Sequence, residues 1–217
     1  MSTHPKVTLV TCKAQPTLFH GEEGLPDELA ARGCDPQIKV WNDPDVDWSD
    51  AGMIVVRSVS DYAQDRRAFL EWTRSLRRVQ NSCDVLDWNS DKHYLKELAA
   101  LGMPTIPTNW LEPAQNLSKH QIHTRFPAFG EFVVKPAVSS GVRDIGRYTT
   151  VDTRQRQAAM RQVQGLLGEG RSVMIQRYVE EIDLHGEISL VFFNGLVSHA
   201  VEKRAALHPS SITDPTV

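Results

Sequence analysis

A lysine that ends an apolar β-type run and is followed closely by two serines and a glycine is a combination able to hold an oxyanion. It occurs in EFVVKPAVSSGVRDIGRY, residues 131–148. Phe132-Val133-Val134 reads as a buried strand, with Lys135 at its end just before Pro136, which cannot donate to a ladder. Ser139, Ser140 and Gly141 can turn successive backbone N–H groups toward one point, and Gly146 permits a positive φ before a strand starting at Arg147. Such a loop beside a strand-end lysine suggests a polyphosphate. An ordinary hairpin loop with a solvated lysine accounts for the same residues equally well.

Other residues could take part. Ser90 or Asp91 can cap a helix from Lys92 to about Leu101, closed by Gly102 and Pro104. Lys92 then sits in a first helical turn, where a cation opposes the dipole and calls for a partner, either an acidic side chain or a bound phosphate. The strand Met53–Val56 delivers Arg57, Ser58 and Ser60 to its carboxyl end. There Arg57 can grip a carboxylate or phosphate, or pair on the surface with Asp61 or Asp65. Gln176-Arg177-Tyr178-Val179 follows a short apolar strand, and Glu187 heads a hairpin. For Gln176 and Tyr178 a plain strand end with a packed aromatic fits as well. Cys12, Cys34 and Cys83 lack the paired spacing of a zinc site or disulfide framework, and Cys12 reads as structural. There is no GxxxxGK[ST], no GxGxxG and no kinase catalytic-loop pattern.

The elements that must position these groups alternate. Lys6–Thr11 reads as a first buried strand, Pro26–Arg32 as a helix, Gln37–Trp41 as a second strand and Met53–Val56 as a third, an order that implies a parallel sheet covered by helices. Arg66–Val79 has helical apolar spacing with a basic face read as solvated surface. Leu117–Arg125 reads as a short helix, Thr153–Leu167 as a helix with Ala158, Val163 and Leu166 or Leu167 inward, and Val173–Gln176 as a buried strand. Asn194-Gly195 joins Glu187–Phe193 to Leu196–Val201 as a hairpin. With 217 residues, 41% hydrophobic and 24% charged, and a net charge of -3, the composition is that of a globular protein, with no basic excess to draw nucleic acid or an anionic membrane. No run approaches a membrane span and no signal-peptide pattern is present, so a cytoplasmic location is expected.

Two lysines, a small-residue loop, a Gln-Arg-Tyr-Val segment and a hairpin glutamate, in that order, resemble the ATP-grasp superfamily of ATP-dependent ligases. WNDPDVDW, VVRSVSDY, DWNSDKHYLKELAALGMPTIPT, FVVKPAVSSGVRDIGRY and GEISLVFFNGLVSHAVEK are similar to the group that includes the D-cycloserine-biosynthesis ATP-grasp ligase. The resemblance implies an α/β and α+β chain with the ATP-grasp fold. Residues 1–90 would form an N-terminal pre-ATP-grasp α/β domain, 91–172 the N-subdomain with its phosphate lid, and 173–217 the start of an incomplete C-subdomain. It further implies that Lys92, Lys135 and the loop containing Ser139, Ser140 and Gly141 bind the phosphates of ATP. The segment Gln176-Arg177-Tyr178-Val179 would be the hinge, where Gln176 and the backbone of Arg177 and Val179 would read adenine, and Glu187 would accept the ribose hydroxyls. Lys203, with Arg204 as its alternative, would stand near the transferred phosphate, and Arg57 would serve the substrate.

The chemistry so implied is a carboxylate activated by ATP to an acyl phosphate and then attacked by an amine, or by an internal nitrogen in a ring-closing ligase. The partners are a small amino-acid-like carboxylate and an amine, with a homodimer as the candidate assembly. Mg²⁺ is the implied metal, yet no convincing carboxylate pair follows Glu202, and the polar end HPSSITDPTV reads as loop, which suggests a fragment. RSVSDY and VEKR depart from the expected RSTWDY and VRKG, at the places assigned to substrate recognition. A non-catalytic ATP-binding or scaffold protein of the same fold is the leading alternative, and a small-molecule kinase a third.

Overall fold

The run KVTLVT, β-branched and apolar, forms β1 (Lys6–Thr11), buried along nearly its whole length at the centre of a parallel sheet. The computed structural model describes residues 4–207. The chain divides between Tyr94 and Leu95 into two units. In the first, α1 (Leu25–Ala31) leads to β2 (Asp35–Val40), and β3 (Met53–Ser58) precedes α2 (Arg66–Ser75), β4 (Val79–Gln80) and α3 (Cys83–Ser90). The strand order is β2-β1-β3-β4 with every pairing parallel, as the sequence pattern requires. Its core joins Val10, Trp41, Ile54 and Leu86 to Phe69 and Leu70 of α2.

Two readings change here. The helix expected over Arg66–Val79 stops at Ser75, and Val79 instead pairs with Ile54 in β4. Its basic face is not simply solvated: Arg66 and Arg74 each donate to Asp87 of α3 at 2.6 Å, and Arg66 Nε donates to Ser90 Oγ. Two guanidiniums on one carboxylate thus clamp α2 to α3. CDVLDWNS has few strong helix formers, and Ser82 caps it through its hydroxyl.

The helix α4 (Tyr94–Ala100) runs across this boundary into the second unit, which continues through β5 (Thr108–Leu111), α5 (Lys119–His123), β6 (Glu131–Pro136), β7 (Gly146–Thr149), α6 (Thr153–Gly168), β8 (Val173–Arg177), α7 (Glu181–His185), β9 (Glu187–Phe193) and β10 (Leu196–Lys203). The order β5-β8-β6-β7 is antiparallel throughout. So β8, assigned by the sequence reading to the start of a third segment, is hydrogen-bonded between β5 and β6. The strands β9 and β10 form a separate two-stranded hairpin.

The period of two divides the four-stranded sheet into unlike faces. Phe132 and Val134 of β6, Tyr148 of β7 and Val173 and Ile175 of β8 pack with Ile122 of α5 and with Ala159, Val163 and Leu166 of α6. Ala159, and not Ala158, is the fully buried alanine, with Ala158 only partly covered. The opposite face carries Glu131, Val133 and Lys135 of β6, beside Arg147 of β7 and Met174 and Gln176 of β8 in register. Charged and amide groups therefore share one side of the sheet, and the helices cover the other.

Candidate functional site

Lys135 stands on the polar face of β6, next to Met174 of β8, partly buried. Burial pushes its ammonium below the ordinary lysine pKa, and the nearby charge of Glu187 offsets part of that shift. Glu187 is in turn the cross-strand partner of Lys203 at the base of the β9–β10 hairpin. Three of the expected residues, Lys135, Glu187 and Lys203, are thus gathered by pairing geometry and charge. Gly186 makes this approach possible: it has φ +69°, and a Cβ there would run into the Lys203 carbonyl.

The loop after β6 is half committed. Ser139 is buried and its hydroxyl donates to the Pro136 carbonyl at 3.4 Å, whereas residues 141–144 are exposed, with Gly141 at φ 62° and Asp144 at φ 57°. Its far end is pinned. Gln162 Nε2 of α6 donates to the Asp144 carbonyl at 2.7 Å, and Arg171 pairs with the Asp144 carboxylate at 2.9 Å. Gly146 does not take the positive φ expected of it. What requires glycine is the Tyr148 ring, which a Cβ at 146 would strike; that ring's hydroxyl donates to Gln162 at 2.8 Å.

Gln176 is buried, and its amide donates to Thr108 Oγ1 at 2.7 Å. Arg177 extends its guanidinium over Phe129, 4.5 Å from the ring centroid. The backbone N–H of Tyr178 donates to the Glu131 carbonyl at 2.9 Å, and its hydroxyl to Asp183 Oδ1 at 2.6 Å. Burial, and donation to that carboxylate, push the phenol up to about 12. The Val179 carbonyl accepts from Ile182 as the chain turns into α7.

Arg57 and Lys92 belong to the first unit. Arg57 pairs neither with Asp61 nor with Asp65: its partner is Glu22, which also accepts from the Ser58 hydroxyl at 2.7 Å. Asp61 is buried and accepts from Trp41 Nε1 at 2.7 Å, while Asp65 caps α2 through the Ala68 N–H. Lys92 is not in a helical first turn. It lies in the turn between α3 and α4, because α3 continues through Ser90 and α4 starts only at Tyr94. Its charge therefore does not oppose the dipole of a first helical turn.

Arg147, a strand start in the sequence, has a larger place in the structure. Among the described residues it is the most fully enclosed cation on the polar face, its side chain 5% exposed. Its one signal in the sequence is a charge at the start of a predicted strand. Among the described residues no group of three or more His, Cys, Asp or Glu side chains is placed to hold a metal ion. None of the described helices is long and apolar enough to cross a membrane.

A parallel α/β unit followed by an antiparallel sheet with helices on one face and a lysine on the other is the architecture of the ATP-grasp class. D-alanyl-alanine synthetase A from Vibrio cholerae shares the fold, with a TM-score of 0.63 over 94% of this chain and 69% of that one at 14% identity. Similarity in sequence is more specific. The family described as D-cycloserine synthetase DcsG, N-terminal domain, matches residues 7–86. The cycloserine biosynthesis protein DcsG of Streptomyces lavendulae is 36% identical over 186 residues, 83% of this chain and 60% of that protein. The crystal structure of D-cycloserine synthetase DcsG aligns with a TM-score of 0.80 and 33% identity, over 94% of this chain and 69% of that one. The chain belongs to the DcsG family of the ATP-grasp superfamily, and it spans about 60% of the length of the Streptomyces relative.

Proposed function

We propose that this chain carries the nucleotide-binding part of an ATP-dependent carboxylate–amine ligase acting on a small amino-acid-like substrate. The observation that carries the reading is Lys135, a partly buried cation on the polar face of β6, with Glu187 as a nearby counter-charge. A desolvated ammonium gains most when a polyanion approaches, because the low local dielectric strengthens the attraction. Lys135 and the loop N–H groups at 139–141 hold the phosphates, the Gln176 side chain with the Arg177 carbonyl and the Val179 N–H faces adenine, and Glu187 accepts the ribose hydroxyls.

In the reaction proposed, a substrate carboxylate oxygen attacks the γ-phosphorus and the bond to the β-phosphate oxygen breaks, which releases ADP. The acyl phosphate is then attacked at carbon by an amine, inorganic phosphate leaves, and the amine gives up a proton. Lys203 stabilises the charge on the transferred phosphoryl oxygens. Mg²⁺ would neutralise the nucleotide phosphates; a cluster of ligands for it is not among the described residues, and no step is assigned to it.

The test is release of ADP and phosphate by the intact polypeptide from ATP, a panel of amino-acid carboxylates and amines, alongside ATP–Mg²⁺ protection in a thermal shift. Turnover dependent on both substrates is expected, with protection lost in Lys135→Ala. Protection without turnover would favour a non-catalytic nucleotide binder. Unchanged protection in Lys135→Ala would overturn the phosphate site.

A further inference from the structure

One guanidinium gathers nearly every part of the second unit that borders the polar face. Arg147 Nε donates to Glu131 Oε2 of β6 at 2.8 Å, Nη1 and Nη2 donate to the two Asp183 oxygens of α7 at 2.9 and 2.7 Å, and Nη1 also reaches the Leu207 carbonyl at 2.9 Å. Its flat face lies 3.6 Å from the Tyr178 ring centroid, and the Tyr178 hydroxyl closes the circuit on Asp183. Lysine could not reproduce this fork, which combines a bidentate grip with stacking.

The two things so held are of unusual consequence. Tyr178 lies between Arg177 and Val179, the backbone segment assigned to adenine, and Asp183 sits in the short helix immediately before Gly186 and Glu187, the residue assigned to ribose. Arg147 itself follows Gly146, the residue that closes the phosphate loop. Burial draws the guanidinium pKa down, but the hydrogen bonds to Asp183 and Glu131 more than offset it, so the group stays charged at any working pH.

We propose that Arg147 is the positioning residue for the adenosine half of the nucleotide: it locks Tyr178 and the α7 turn so that the 177–179 backbone and Glu187 face the ligand together. The inference rests on the nucleotide site proposed above. Arg147 touches no nucleotide in this scheme. Its effect is to keep the base-reading and ribose-reading groups in one arrangement, so the ordering cost is met before the ligand arrives.

The experiment compares affinities for ADP and for inorganic tripolyphosphate, by calorimetry, in the intact polypeptide and in Arg147→Met, Arg147→Lys and Asp183→Asn. Arg147→Met is expected to weaken ADP at least tenfold while tripolyphosphate stays within twofold, and Arg147→Lys to recover part of the loss. Asp183→Asn keeps the shape of the turn and guards against a misfolded Arg147→Met; it should weaken ADP about threefold and leave tripolyphosphate unchanged. Equal losses for both probes, or unchanged ADP affinity in a folded Asp183→Asn protein, would overturn the positioning role. Wild-type protein that binds tripolyphosphate but not ADP would also overturn it, whereas binding of neither probe would remove the nucleotide site itself.

Discussion

Lys135 shows how a site residue trades stability for readiness. An ammonium drawn from water costs free energy until an anion arrives, and Glu187 offsets only part of that cost. Lys135→Met keeps the unbranched stem and removes the charge. It should raise the melting temperature of the nucleotide-free protein by about 2–4 °C, the shift expected for about 1 kcal/mol in a chain of this size. The sign with pH follows from the depressed folded pKa. Between that lowered value and the ordinary value of 10.5, the unfolded chain binds more protons than the folded one, so stability from this group rises with pH across that window. Urea midpoints measured through the alkaline range should therefore climb in wild type relative to Lys135→Met. A difference that stays flat or falls would mean that Lys135 is already well solvated.

At the level of elements, two glycines are set by close approach more than by turn grammar. Gly186→Ala places a Cβ against the Lys203 carbonyl in a backbone at φ +69°. It should destabilise the hairpin by about 1–3 kcal/mol and weaken nucleotide binding through the displaced Glu187, seen as a lowered urea midpoint together with a weaker ADP affinity. If affinity holds while the midpoint falls, Glu187 is not placed by this turn. Neighbouring residues also mark the limit of what sequence could tell. The strands β1, β3, β6, β8 and the hairpin were legible because β-branched runs, strand-end lysine and Asn194-Gly195 are local signals. The helices α3 and α7 were not: CDVLDWNS has few strong helix formers and relies on the Ser82 cap and the clamp at Asp87, and EIDLH is only five residues long, without a side-chain cap, and relies on the clamp at Asp183. Gly146 was flagged for the wrong reason, because its constraint is a tyrosine ring two residues on. Lys135, Glu187 and Lys203 were named from the order of motifs, yet Arg147 escaped. Its partners at 131, 178 and 183 are distant in sequence and meet only through the register of β6, β7 and β8.

Across the whole molecule, burial is unevenly distributed, and this has a dynamic consequence. The interiors of β1, β6 and β8 lie in packed sheets, with Val10, Phe132, Val134 and Val173 fully enclosed. The β9–β10 hairpin stands apart as a two-stranded sheet, with Ile188 71% and Phe193 64% exposed. A two-stranded ribbon open on its faces is marginal in water, because little apolar area leaves solvent when it forms. Amide exchange should rank accordingly in this 217-residue chain, with β1, β6 and β8 slowest and β9–β10 faster by orders of magnitude. A non-hydrolysable ATP analogue should then slow exchange at the end of β6, across 139–141 and 177–179, and at the base of the hairpin around Glu187, because those are the segments that contact the ligand in the proposed site. The hairpin tip at Asn194-Gly195 should stay fast. Protection in apo β9–β10 equal to that of β8 would show that the hairpin faces are covered, and protection by the analogue confined to α5 and α6 would move the nucleotide to the other side of the sheet.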